Sequence, residues 1–405
     1  MTGLGIVCPI GTSLEAVGRH LQSDAPADRA GVTARPVDGF LGELTAWPPD
    51  DLQRAARLCA PVAQYAIVAA THACQQAQLN LAGLDTSRIA VLVGSMLGGL
   101  PEMVRTQRLL DQGKLSRAGG MGTTKMMNSG SAVNVAAQLR LRGPVMSNSS
   151  GFATGLDNIG CGYEWVRDGV VDVVVCGATE EHCAPFLGRQ FSSWELSPIG
   201  VDPDCEVSVR PFDAHREGSL LSAGSGIVVL ESADHAQRRG ATPLAEVCGY
   251  ASGFEASAAP DQFATALTRT IEQVCGQAAA AGAGSLTQVI SGAAGFRQAD
   301  AQHALAIRDA LGTTALVTAS AGWLGHSLAA SSAWNVVLAS LMLSQGVLMG
   351  CRGLQEIAPD CQGLRYVQDS RVASDPALLV TAGGLGFASS LAICRSTAAK
   401  NGSPG

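Results

Sequence analysis

The sequence predicts an α/β protein whose two similar halves stack into αβαβα layers. Two observations carry this. Short, mostly apolar strands are predicted at residues 88–93, 172–176, 286–291 and 377–381, as expected of parallel strands covered on both faces. Helices rich in Gly, Ala and Ser are predicted at 151–167 and 325–343, where small side chains let a helix lie close between two sheets. Strand, small-residue helix and strand follow one another in both halves, a weak internal duplication.

Taken in order, the chain is expected to enter a strand at its first residues, and no leader peptide is expected. The first half runs to 232, where the apolar GIVVLES gives way to the polar DHAQRRG, so the link between halves is placed around 224–241. The second half covers 233–394. The polar RSTAAKNGSPG, residues 395–405, is expected to be a disordered tail. Charged residues are only 15% and hydrophobic ones 47%, with 48 Gly, which implies a large close-packed core. A net charge of −7 leaves no footprint for nucleic acid, and no apolar run of about 20 residues is available to span a membrane. The 12 Cys are scattered without a CxxC pair or a histidine at metal spacing, so buried reduced thiols, no metal, no cofactor and a cytoplasmic location are expected.

The stretch VMSNSSGFATGLDNIGCGYEWVRDG, Val145 to Gly169, carries the chemistry by what it lacks. A β-rich run ends in small residues, turns at Gly151 and enters a helix through Ala153, Thr154, Gly155 and Leu156. Such a turn aims a nucleophile along a helix N-terminus, where unpaired N–H groups stabilise a thiolate or oxyanion. The residue at the turn is Phe152, which has neither a proton to lose nor a lone pair to attack with. Ser149, Ser150 and Cys161 are the nearby alternatives: the serines suit backbone bonding around the turn, and Cys161 suits the core. Asp157 and Asp213 read as capping or structural acids.

This stretch resembles the active-site region of β-ketoacyl synthases of the thiolase fold, T-A-C-T-S-G-L-D, with Phe152 on the nucleophilic cysteine. Further matches follow in family order: MTGLGIVCPIGTS at the start, VLVGSMLGGL at 91–100, VVDVVVCGATE at 170–180, RPFDAHREG at 210–218 and GLGFASS at 384–390. The resemblance implies a thiolase-like fold and a Cys-His-His site supported by a lysine and a glutamate. The first histidine falls on Gly292 in SGAAGFRQAD, and the second is retained as His326 in AGWLGH. The lysine falls on Ala321, and the glutamate of "GEGAG" on Ala223. Groups at four of these five positions do no proton or nucleophile chemistry, so the resemblance implies no ordinary condensing activity. His326 either polarises a thioester carbonyl or is a histidine bonded to backbone beside Gly325.

Within that superfamily the chain resembles the chain length factors, or ketosynthase β subunits, of type II polyketide synthases. They lack the cysteine, pair with an active ketosynthase α subunit and shape the tunnel in which the chain on acyl carrier protein grows. Aromatic systems carry glutamine at the cysteine position; Phe152 departs from that and leans toward reducing systems that make polyenes. The resemblance implies tunnel positions at Leu100, Met103 and Gln107, spaced on one helical face, together with Met121 and Met126; the alternative is an amphipathic helix with a core stripe. It also implies a partner interface at Gly143, Val145, Ser147 and Met127, with residues 143–149 pairing across the dimer. Two other readings fit the same residues: an altered enzyme (decarboxylase, acyl hydrolase or cyclase) using His326 and a serine, or a pure scaffold.

Overall fold

The computed structural model describes residues 1–22, 56–119, 122–181, 198–199, 209–257, 262–373 and 375–396. In the first half, β1 (Gly3–Val7), β2 (Ile89–Gly94), β3 (Val145–Met146), β4 (Val173–Glu180) and β5 (Gly224–Glu231) form one sheet in the order β1-β5-β4-β2-β3. In the second, β6 (Glu246–Phe254), β7 (Gln288–Ser291), β8 (Leu316–Ala319), β9 (Arg365–Tyr366), β10 (Ala377–Gly384) and β11 (Phe387–Cys394) form another, in the order β9-β8-β7-β10-β11-β6. In each sheet the inner strands are parallel and the last two antiparallel. Apart from the extra edge strand β9, the two orders are equivalent, so the duplication seen in the sequence is a duplication of topology.

The helices complete the layers. In chain order they are α1 (Pro61–Gln76), α2 (Leu100–Asp111), α3 (Gly122–Met126), α4 (Gly130–Leu139), α5 (Thr154–Arg167), α6 (Ala264–Ala280), α7 (Arg297–Leu311) and α8 (Ala329–Gln345). α1 covers the outer face of the first sheet, and α6 the outer face of the second. α5 and α8 pack on each other between the sheets. α8 is buried almost all round, with Trp334 fully enclosed, as a helix with no solvent face must be. Gly155 makes the α5–α8 crossing possible: a Cβ there would fall 2.6 Å from the Ala333 nitrogen.

Four expectations change in detail. The central helix of the second half starts at Ala329, not at 325, because Gly325 (φ +69°) and Leu328 (φ +44°) turn the backbone first. The polar stretch after β5 contains a short helix, Ala233–Arg238, whose Ser232 hydroxyl accepts from the His235 amide at 3.2 Å. Only Val145–Met146 of residues 143–149 is strand, at the exposed edge of its sheet. The first two residues of the polar tail are held, Arg395 by the Leu343 carbonyl (3.0 Å) and Ser396 by Glu246 (2.8 Å); residues 397–405 lie outside the described residues. Among the described residues no helix is long and apolar enough to cross a membrane.

The α5–α8 crossing yields a stability prediction. Gly155→Val should destabilise the chain by about 1–3 kcal/mol or more, because the added carbons meet backbone that cannot retreat. Urea unfolding checks this, with Gly276→Val, which meets open space, as the mild control.

Candidate functional site

The turn before α5 is built from its own side chains. Gly151 takes a positive φ of +55°, which glycine adopts without strain. The Ser150 amide donates to the Thr154 hydroxyl (2.8 Å), which donates to the Gly151 carbonyl (2.7 Å). Asp157, buried on the next turn, accepts from the Ser150 hydroxyl, from Ser389 on β11 and from the Tyr250 hydroxyl on β6 at 3.0 Å. Burial pushes its carboxyl up and these three donors oppose that. Asp157 is thus a structural acid that ties the turn to the second half. Gly155 and Leu156 donate their amides to the Ser332 hydroxyl of α8, at 3.0 and 3.2 Å. Two of the N–H groups that a helix start offers to an anion are therefore bonded within the protein.

Phe152 is buried at the head of α5, and its ring belongs to the core of the second half. It stands edge-on to His326, centroids 4.7 Å apart and planes at 82°. Phe296 meets the same imidazole at 5.6 Å and 79°. The His326 backbone bonds to the 220–222 segment: its amide donates to Leu220 (2.8 Å), and its carbonyl accepts from Ser222 (3.0 Å). Its Nδ1 has no partner, and burial pushes its pKa down to about 4, so the ring is neutral at physiological pH. Ala321 is buried at the start of the Ala321–Leu324 turn. Ala223 packs toward the core around α1.

Gly292 follows β7, and a Cβ there would lie 3.3 Å from His303 Cε1 on α7. His303, which sequence reasoning missed, thus fills the space beside Gly292, the position where the resemblance led us to expect a lost histidine. It is almost fully buried, edge-on to Phe263 at 5.0 Å. Burial pushes it down to about 3; the Gly383 backbone opposes this slightly, and the nearby His326 adds to it. The signal was its place on the buried stripe of α7 with Ala299, Ala304 and Ile307.

Asp213 is also structural, accepting from His215, Gln355 and Glu356 amides at 2.8–2.9 Å. Burial works to raise its carboxyl, but these donors hold it below the usual value. Of the alternative nucleophiles, Ser149 is exposed, Ser150 is committed to Asp157, and Cys161 is half-buried with its thiol pushed up by burial. Glu180, at the end of β4, is a further residue not singled out by the sequence. Its carboxylate accepts from the Ser95 hydroxyl (2.8 Å), the amides of Met96 (2.9 Å) and Leu97 (3.3 Å), and that of Ala329. It joins the loop that launches α2 to the start of α8.

Leu100, Met103 and Gln107 share α2 as expected, but this chain alone does not enclose them: Leu100 is half-buried, and Met103 and Gln107 are exposed, Gln107 bonding to Asp111 at 2.8 Å. Met126 is half-buried and Met127 exposed; Met121 lies outside the described residues. Val145 is exposed, and Gly143 and Ser147 are half-exposed. Among the described residues no group of three or more His, Cys, Asp or Glu could hold a metal.

Residues 2–236 match the model of the β-ketoacyl synthase N-terminal domain, and 244–355 that of the C-terminal domain. The chain belongs to the β-ketoacyl synthase family. A relative, the tetracenomycin polyketide synthase ketoacyl synthase alpha subunit of Streptomyces glaucescens, is 30% identical over 82% of this chain and 80% of its own. In solved structures the fold matches the ishigamide ketosynthase/chain length factor (TM-score 0.83, 24% identity) and a type II acyl-carrier protein complex with its ketosynthase bound to the hexaketide (TM-score 0.82, 23% identity). Both matches cover 98% of each chain, and the thiolase-like fold follows.

The packing and buried acids around Phe152 yield two predictions. Phe152→Ala should cost about 3–5 kcal/mol in a urea titration, because the phenyl is core and leaves a cavity. The three raised carboxyls should make stability fall as the pH rises from 5 toward 7, and they outweigh the opposing contribution of His303 and His326, whose buried rings charge on unfolding below about 6.5. Burial raises the Glu180 carboxyl from 4.5 to about 7, and Glu181 and Asp300 also rise, to about 7 and 6. Between the unfolded and folded values the unfolded chain has released protons that the native chain keeps, so raising the pH favours unfolding. Urea midpoints at several pH values would show the slope, and Glu180→Gln should remove its share.

Proposed function

We propose that this protein is the non-catalytic chain length factor of a type II polyketide synthase. In this reading it pairs with a cysteine-bearing ketosynthase and shapes the tunnel that limits chain growth on acyl carrier protein, in the cytoplasm, without a cofactor. The observation that carries the reading is Phe152: a buried phenyl occupies the nucleophile position and rests edge-on against the one retained histidine. Gly292 and Ala321 remove two more functional groups. A cysteine knock-in at 152 would leave both of those groups missing. Family triads act as units, so losing several members leaves no ordinary turnover. An altered hydrolase has less support, since neither Ser149 nor Ser150 bonds to a histidine.

The surface also supports a partner. α2 has twelve residues, of which only Glu102 is buried. Of the eleven large hydrophobic residues exposed among the described residues, seven lie between Met103 and Met146. α2 packs on α3, α3 on α4, and α4 on β3, so these side chains share one continuous face that ends at an open sheet edge. A helix without a buried apolar face and an unpaired strand edge both call for cover. In the proposed heterodimer a ketosynthase covers them over an interface on the order of 2,000 Å² or more, with Val145, Ser147, Gly143 and Met127 in contact and Leu100, Met103, Gln107, Met121 and Met126 along the tunnel. A reduced polyene product is the reading Phe152 favours over an aromatic one.

Product length tests the proposal. A cysteine-bearing type II ketosynthase would be reconstituted with this chain and an acyl carrier protein. Met103→Trp should slow the last extension by roughly tenfold to a hundredfold, the equivalent of ~1–3 kcal/mol of overpacking, and shorten the product. Mass spectrometry of carrier-bound chains reads this out; an unchanged length distribution in an intact complex would remove the ruler role.

A further inference from the structure

The face that exposes these apolar side chains is strongly basic, although the protein is acidic. Residues 100–149 hold seven Lys or Arg and two Asp or Glu, in a chain of net charge −7. Arg105, Arg108, Lys114, Arg117, Arg140 and Arg142 are exposed. Within this stretch the two acids do little to offset them, and outside it the exposed Asp85 faces Arg142 alone of these cations. Glu102 is buried and paired with Arg105 through 2.5 and 2.8 Å contacts, and Asp111 accepts from Gln107. Arg108, Lys114 and Arg117 flank the exposed Leu110 and Leu115 on α2 and the 3₁₀ turn after it, Leu115–Ala118.

We infer that this face selects its partner by charge: it fits a ketosynthase-like subunit with an acidic rim around an apolar centre, and it repels a second copy of this chain. The inference rests on the heterodimer reading above and adds the partner's chemistry and the reason for choosing it. Rim charges contribute mainly to encounter rate and partner choice, while the apolar centre supplies the holding energy. Two copies brought together through this face would oppose their basic arms, whereas an acidic rim would be drawn in and lose that pull within a Debye length as salt rises. The apolar side chains and open strand edge on the same surface favour a subunit over a transient carrier protein, whose docking would leave them wet.

The test is charge reversal at three exposed positions outside the tunnel and the strand edge, Arg108→Glu, Lys114→Glu and Arg117→Glu together. Circular dichroism and melting should match the wild type. Association with the immobilised ketosynthase partner would be followed from about 50 to 500 mM salt. The wild-type rate should fall with salt. The variant should associate on the order of tenfold to a hundredfold more slowly at the low end and lose that salt dependence. Mixed with wild-type chain, the variant should form a mixed dimer by native mass spectrometry, since opposite charges then meet. A variant that pairs at the wild-type rate with the wild-type salt dependence overturns the inference while leaving the heterodimer intact. So does a variant that pairs normally but loses only acyl carrier protein binding. Failure of the wild-type chain to pair at any salt overturns the heterodimer reading itself.

Discussion

The crossing of the two central helices is the contact on which the rest of the structure depends. α5 and α8 come from different halves and meet where Gly155 admits Ala333. The Ser332 hydroxyl bonds the first free amides of α5, so one side chain of the second half caps a helix of the first. The crossing sets the start of α5 beside the start of α8, and hence Phe152 against His326. Buried polar groups then lock the arrangement. Asp157 ties the turn to β6 and β11, and Glu180 ties the loop before α2 to Ala329. Each is a carboxyl group held by several donors, which makes its burial tolerable.

Inside that frame the site has become core. In an active member of the family the head of α5 would present a nucleophile to two basic groups. Here a phenyl ring fills the position, a histidine from a different helix stands beside Gly292, and both remaining imidazoles are held neutral by burial. Packing aromatic edges against neutral rings stabilises a closed interior; it supplies no nucleophile. The chain's unsatisfied demands lie elsewhere, on the exposed face of α2, α3, α4 and β3. In the proposed reading, chemistry has been withdrawn from the centre, while the outer face presents its apolar side chains to a partner.

Much of this was legible in the sequence. The strands at 172–176 and 377–381 stood out because an all-apolar run has no solvent-facing position, and the small residues of α5 and α8 announced a helix between sheets. The turn at Gly151 and the helix after it were legible from their small residues, whereas the reading of Phe152 as a lost cysteine rests on the resemblance. His303 and Ser332 were not, because their roles come from contacts that local pattern does not encode: Ser332 meets residues about 177 positions away, and His303 matters only because β7 brings Gly292 beside it. The later start of α8 was missed for a related reason, since Leu328 adopts a positive φ that its residue type does not advertise. Met103 and Gln107 share one helix as expected, and both are exposed in this chain.

The central claim is that this chain contributes shape and no covalent chemistry. Intact-mass spectrometry of both subunits, after the reconstituted complex is incubated with acyl-loaded carrier protein, tests it most directly. The account predicts acyl adducts on the ketosynthase cysteine and none on this chain, alone or in complex. A stable adduct on this chain that disappears when a particular Ser or Cys is replaced would contradict it.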